Sequence, residues 1–132
     1  MNQLHGLSAP LGRLFLATIF IMAGVNKIGG YAGTQGYMEA MGVPGGLLPA
    51  VIALEVLGGL AIVVGYKARL TAYLLAGFTV LSAIIFHSNF SDQMQFMMFS
   101  KNIAIAGGFL IIAAHGAGAY SLDNRKISNL VQ

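Results

Sequence analysis

Glu55 lies in the run AVIALEVLGGLAIVVG, residues 50–65, where every other residue is apolar. A carboxylate there is poorly solvated, so it must meet a cation or take up a proton. Lys27, Lys101 and Arg13 are the candidate partners. A Glu55–Arg13 pair would be a structural ion pair that sets helix register. The functional alternative makes Glu55 a proton acceptor or a group that orients a ligand. Three cations against one acid leave a surplus of positive charge. If two of those cations are buried, one lacks a protein partner, which is costly. A quinone carbonyl, a lipid phosphate or a small oxyanion would complete such a site. Asn102 and His87 add hydrogen-bond donors, and histidine can pass a proton near neutral pH. The candidate ligand site is therefore Lys27, Glu55, His87, Lys101 and Asn102. It is not a nucleophilic triad, and no catalytic residue is assigned.

Other chemistries are disfavoured. The chain has no cysteine. A dithiol relay, a thiolate metal site and an iron–sulfur cluster carried by this chain are thereby excluded. His5 and His115 sit on separate segments with no ligand spacing, and His87 stands alone, so no metal site is expected. Met94, Met97 and Met98 could suit Cu(I). With Phe90, Phe96 and Phe99 they read better as an amphipathic stretch at the membrane interface. Gly58, Gly59, Gly107 and Gly108 are packing residues, with no phosphate-loop pattern around them. A formal charge of +3 is too small and too scattered for a nucleic-acid surface.

The elements that position these residues follow from composition. Of 132 residues, 57% are hydrophobic and only 8% charged, where a soluble domain carries about a quarter charged. The mean hydropathy is +0.77. This is a membrane protein, and in lipid each apolar segment must be a helix. Four such segments stand out, at 11–25, 47–64, 70–86 and 103–114. The first, behind a lone Arg13, reads as a spanning helix that stays rather than a signal peptide. The expectation is a single all-α domain over 1–132, an integral membrane four-helix bundle. Its helices should lie near 11–27, 47–65, 69–87 and 101–115, with 26–46 a Gly- and Tyr-rich loop and 88–100 outside the last helix. Thirteen residues separate Arg13 from Lys27, and thirteen separate Lys101 from His115. A span needs about 20, so some of these polar ends should sit at hydrocarbon depth, turned into the bundle.

Positions i and i+14 lie within roughly 40° of each other on a helix. Arg13 and Lys27 are so related, with Ala17 and Gly24 between them. Lys101 and His115 repeat the spacing around Gly108. Arg69 and His87 are five turns apart, with Ala72 and Ala76 on the same side. Small residues along these stripes would let the helices approach closely, with the stripes facing inward.

The stretches RLFLATIFIMAGVNK, MGVP, LEVLGGLAIVVGYKAR, FH, KNIAIAGGFL and GAGAYSLD come in this order across most of 11–123. In them the chain resembles the DoxX family of small membrane proteins. The resemblance implies four membrane helices and a prokaryotic inner-membrane location. Some relatives are associated with quinone-linked sulfur oxidation or membrane redox complexes. The function expected first is therefore an auxiliary subunit of a quinone-linked redox system, with a quinone-like or anionic ligand in an outer polar pocket. Lacking cysteine, the chain would need an external cofactor such as a quinone, or a redox partner protein. A non-enzymatic scaffold or chaperone for partner proteins is the alternative, and a small anion or proton transporter a weaker one. Membrane lipids are expected partners, nucleic acid is not, and an oligomer is compatible with the sequence.

Four spans put both termini and the 65–69 turn on one side. That side carries five of the seven basic residues, namely Arg13, Lys67, Arg69, Arg125 and Lys126. Lys27 and Lys101 lie on the other. The positive-inside rule then makes both termini cytoplasmic. Labelling with a membrane-impermeant thiol reagent checks this: a Gly33→Cys variant should react from outside intact cells. Reaction from the cytoplasmic face alone would reverse the orientation.

Overall fold

A computed structural model describes residues 2–118 and 121–123. Arg125 and Lys126 lie outside the described residues, as does the side chain of His5. Five helices follow one another: α1 Asn2–Gly29, α2 Tyr31–Ala40, α3 Leu48–Val64, α4 Ala68–Phe86 and α5 Gln93–His115. α1, α3, α4 and α5 are long and apolar enough to cross a bilayer. Among the described residues there is no strand. The protein is an all-α membrane bundle of four spanning helices with one short helix beside them.

Three features depart from the sequence expectation. α1 begins at Asn2 rather than near 11, and α5 begins at Gln93 rather than near 101. Both helices run on through their charged residues, so neither is short. Asp92 starts α5 by accepting a hydrogen bond from the Met94 backbone N–H at 3.0 Å, satisfying one of the free donors of a first turn. Third, the 26–46 connection is not a plain loop but holds α2. That helix stops at Gly42 (φ 83°), a left-handed position that suits glycine. The Gln35 amide ties it to the Gly45 carbonyl at 3.1 Å.

α1 packs along α3, and α4 along α5. The solid core lies in the half of the bundle that holds Arg13. There Ala17, Ile62, Ala72, Leu75 and Phe109 are all fully buried. Phe20 meets Phe109 edge-on, with ring centroids 5.3 Å apart.

At the Arg13 end the backbone is closed by side chains. α3 ends in a Schellman turn: the Tyr66 N–H bonds the Ala61 carbonyl and the Gly65 N–H the Ile62 carbonyl. Gly65 takes φ 73°. Arg13, only 2% exposed, donates from Nη1 to the Ile62 and Val63 carbonyls at 3.0 and 2.9 Å. A cation at a helix C-terminus also opposes the negative end of the helix dipole. The start of α4 is capped from far along the chain. Asp123 accepts from the Lys67 and Ala68 N–H groups at 2.6 and 2.7 Å, and its own N–H bonds the Gly65 carbonyl at 3.0 Å. Asp123 also attracts the Arg13 guanidinium.

The residues of this knot hold backbone rather than ligand, and their loss should read out as stability. Arg13→Leu should cost about 1.5–3 kcal/mol, the worth of hydrogen bonds to a charged group. Asp123→Ala should also lower the melting temperature in detergent, whereas Lys67→Ala should leave it nearly unchanged. An unshifted melt for Arg13→Leu would show that the Ile62 and Val63 carbonyls are held another way.

Candidate functional site

The site begins where α1 and α3 come closest. A Cβ on Gly24 would overlap the Val56 side chain, and one on Gly59 would lie 2.7 Å from Ile21 Cγ1. Only glycine permits this approach. Lys27 stands one turn beyond Gly24, in the last turn of α1, and Glu55 is the residue before Val56. The close crossing therefore brings the ammonium onto the carboxylate. Lys27 Nζ lies 2.9 Å from Glu55 Oε1 and donates a hydrogen bond to Oε2 at 3.2 Å. Glu55 is 3% exposed, whereas the Lys27 side chain keeps 29% of its surface open. Oε1 is buried and accepts no well-aligned hydrogen bond from a described residue. Among the described residues, Lys27 supplies the countercharge of this carboxylate.

Beside this pair is a cavity of about 600 Å³ in the half of the bundle away from Arg13. Its walls are mainly apolar, with Phe20, Leu54, Phe78, Ile85 and Ile105 among them. Lys27, Glu55, His87 and Asn102 also line it. His87 is the residue that ends α4, its N–H bonded to the Ala83 carbonyl at 2.9 Å. Asn102 reaches the Thr79 carbonyl at only 3.5 Å, a weak bond that leaves its amide available. α2 adds Thr34, Tyr37 and Met38 to the lining of the cavity. The Tyr37 ring stacks on Phe86 with centroids 5.3 Å apart.

Two expectations are corrected. Glu55 does not pair with Arg13: Glu55 lies midway along α3, whereas Arg13 bonds the Ile62 and Val63 carbonyls two turns further on, at the end of that helix. Its counterion is Lys27. Lys101 does not join the cavity. The inward stripe of α5 is Asn102, Ala106, Phe109 and Ala113, at helical spacing, and Lys101 stands about 100° away from it. Lys101 is exposed and borders a separate shallow groove with Phe15, Leu16 and Ile19 of α1. His115, the other end of its stripe, is exposed too. The structure thus brings four of the five candidate residues together and leaves Lys101 outside.

Thr34, Tyr37, Met38 and Phe86 were not singled out from the sequence. The signal was there: Thr34, Tyr37, Met38 and Met41 follow the i, i+3, i+4, i+7 pattern of a helix face. Gly30, Gly33 and Gly36 masked it as a loop. Among the described residues no group of three His, Asp or Glu side chains comes together as a metal site. Met94, Met97 and Met98 are largely exposed, and Phe90 packs edge-on against Phe96 and Phe99.

The DoxX family model matches residues 9–88, the stretch that carries Arg13, Lys27, Glu55 and His87. The chain belongs to the DoxX family. It is 54% identical to inner membrane protein YqjF of Escherichia coli (strain K12) over 93% of its length and 95% of that protein. To inner membrane protein YphA of the same strain it is 38% identical, over 87% of each chain. A third relative, 26% identical over 81% of this chain and 84% of its own, bears the name "Putative oxidoreductase CatD" in Bacillus subtilis (strain 168). No solved structure matches the chain. With four spanning helices and these relatives, this DoxX protein is a multi-pass inner-membrane protein.

Coupling across the ion pair is measurable. Removing one partner of a buried pair strands the other charge and costs about 3–5 kcal/mol, less here because Lys27 is partly open. Glu55→Leu and Lys27→Met should each lower the melting temperature in detergent. The double variant should lose clearly less than the sum of the two. Strict additivity would mean that the pair does not hold α1 to α3.

Proposed function

We propose that this protein holds a quinone-like head group in the cavity beside Lys27 and Glu55, as an auxiliary subunit of a quinone-linked membrane redox system. The observation that carries this reading is a buried ion pair opening onto a mainly apolar cavity. Small-molecule sites combine such walls with a few convergent polar groups, in volumes of roughly 300–1,000 Å³. An ammonium has three donors. Glu55 engages the side of Lys27 that faces α3, and the exposed part of the ammonium can donate to a carbonyl oxygen. His87 and Asn102 supply further donors on the opposite wall, one from each of α4 and α5. Phe20, Phe78 and Phe86 suit a flat ring.

A bound quinone would supply the electron-accepting chemistry. This chain would bind and orient it, keep water from its ring and hold a carboxylate near its oxygens. The electrons would come from a partner protein, and the oxidoreductase among the relatives agrees with that setting. By the charge asymmetry of the sequence, the cavity faces the outer leaflet.

Mass spectrometry of the protein purified in mild detergent tests the reading, together with binding of a tailless dimethoxy-methyl-benzoquinone. Co-purified quinone and saturable binding are expected. Asn102→Leu should weaken binding by several-fold, and Lys27→Ala by about tenfold or more, the worth of a charge-assisted hydrogen bond. Lys101→Ala, outside the cavity, should bind like wild type. A stoichiometric protein partner with no quinone bound would put the scaffold reading first. Equal binding by Lys27→Ala and Lys101→Ala would remove the site.

A further inference from the structure

The same cavity has an open side. α3 and α4 are pinned together by the turn at Gly65–Lys67, and Gly58 still faces Leu75 closely, where a Cβ would lie 3.3 Å from a leucine methyl. Beyond that level the two helices are separated by the cavity. Leu47, just before α3, and Ala50 of α3 line it from one side, Leu81 and Ile85 of α4 from the other. Leu47 is 50% exposed and Leu81 56%, and Ala50 is exposed as well. These cavity walls are therefore also part of the lipid-facing surface of a spanning region. On the α1–α5 side the half-buried Ile19 and Ile105 form the wall, and three other approaches are obstructed. The α1–α3 seam is closed at Gly24, α2 lies over the outer end with buried Met38, and Phe20 against Phe109 blocks the way inward. Leu47, Ala50, Leu81 and Ile85 are all apolar.

We propose that the cavity opens sideways into the bilayer between α3 and α4, and that its ligand class is an amphipath with one compact hydrogen-bonding head and one apolar chain. The head sits at Lys27–Glu55, and the chain leaves between Ala50 and Leu81 into the outer half of the lipid. This rests on the head-group site proposed above and adds the route and the second half of the ligand. An apolar gap facing hydrocarbon admits a methylene chain at no desolvation cost and rejects a hydrated anion. It therefore distinguishes a lipid-borne ligand from a soluble oxyanion at the same ammonium.

Two probes separate the head from the chain: the tailless dimethoxy-methyl-benzoquinone and the same ring bearing a decyl tail. Ala50→Trp and Leu81→Trp fill the gap without touching Lys27 or Glu55. Both variants should weaken the decyl probe by about tenfold, equivalent to displacing two or so buried methylenes, and leave the tailless probe nearly unaffected. Leu57→Trp, on the lipid face of α3 away from the cavity, is the control. A decyl probe carrying a terminal diazirine should label wild-type protein within 47–54 and 78–85, a readout that needs no variant to fold. Labelling confined to α1 and α5 would overturn the route. So would tryptophan variants that bind the decyl probe like wild type, or that lose both probes equally. If neither probe bound wild-type protein, the head-group site itself would fail, and the route with it.

Discussion

A buried carboxylate held by a half-buried ammonium on a neighbouring helix cannot be exchanged for a hydrated ion without unpacking the helices that carry the pair. That constraint governs the arrangement around Lys27 and Glu55. Their contact at 2.9 Å requires α1 and α3 to lie close, and only small residues at the crossing allow it. Gly24 and Gly59 are therefore part of the ion pair in all but chemistry. The pair in turn sets the register of α1 along α3. A slip of one residue on either helix would rotate a charge by about 100° and into lipid.

The two ends of the bundle use charge differently. At one end, Arg13 and Asp123 spend theirs on backbone: free carbonyls at the end of α3 and free N–H groups at the start of α4. Side chains there fill the interior, with Ala17, Ile62, Leu75 and Phe109 fully buried. At the other end the charges face each other and the interior is hollow. The turn at Gly65–Lys67 holds α3 and α4 together only at the filled end, so the open end can keep a cavity of about 600 Å³ without separating the helices. The filled end thus serves as a base for the hollow one, an arrangement that suits the ligand site proposed there.

Much of this is legible in the sequence itself. Four apolar runs in lipid can only be helices, and an acid alone in one of them must find a cation. The stripe Arg13–Ala17–Gly24–Lys27 does face inward. The partner of Glu55 was harder. Pattern gives the angle of a side chain around its helix but not its height against a neighbouring helix, and height separates Lys27 from Arg13. Lys101 shows the opposite failure. Its spacing to His115 matched a stripe, but a stripe can face lipid, and a long lysine stem tolerates that by reaching toward the interface. α2 was hidden because glycines lower helix propensity, whereas its position over the cavity, with Tyr37 on Phe86, is decided by tertiary packing that no local pattern records.

The Arg13 clasp also sets an order of events during synthesis. Arg13 enters the membrane with α1, but the carbonyls that receive it lie 49 and 50 residues later. Until α3 arrives, the guanidinium lacks those carbonyls, and an unpartnered arginine within a spanning helix is costly. Asp123 comes later still, near the end of the chain, and without it the start of α4 has no side-chain cap. Asp123 follows α5 in the sequence and so completes, after all four spanning helices have been made, a joint that begins with Arg13 in α1. Until then the base of the bundle is unclasped, an interval in which a molecule can still enter between the helices.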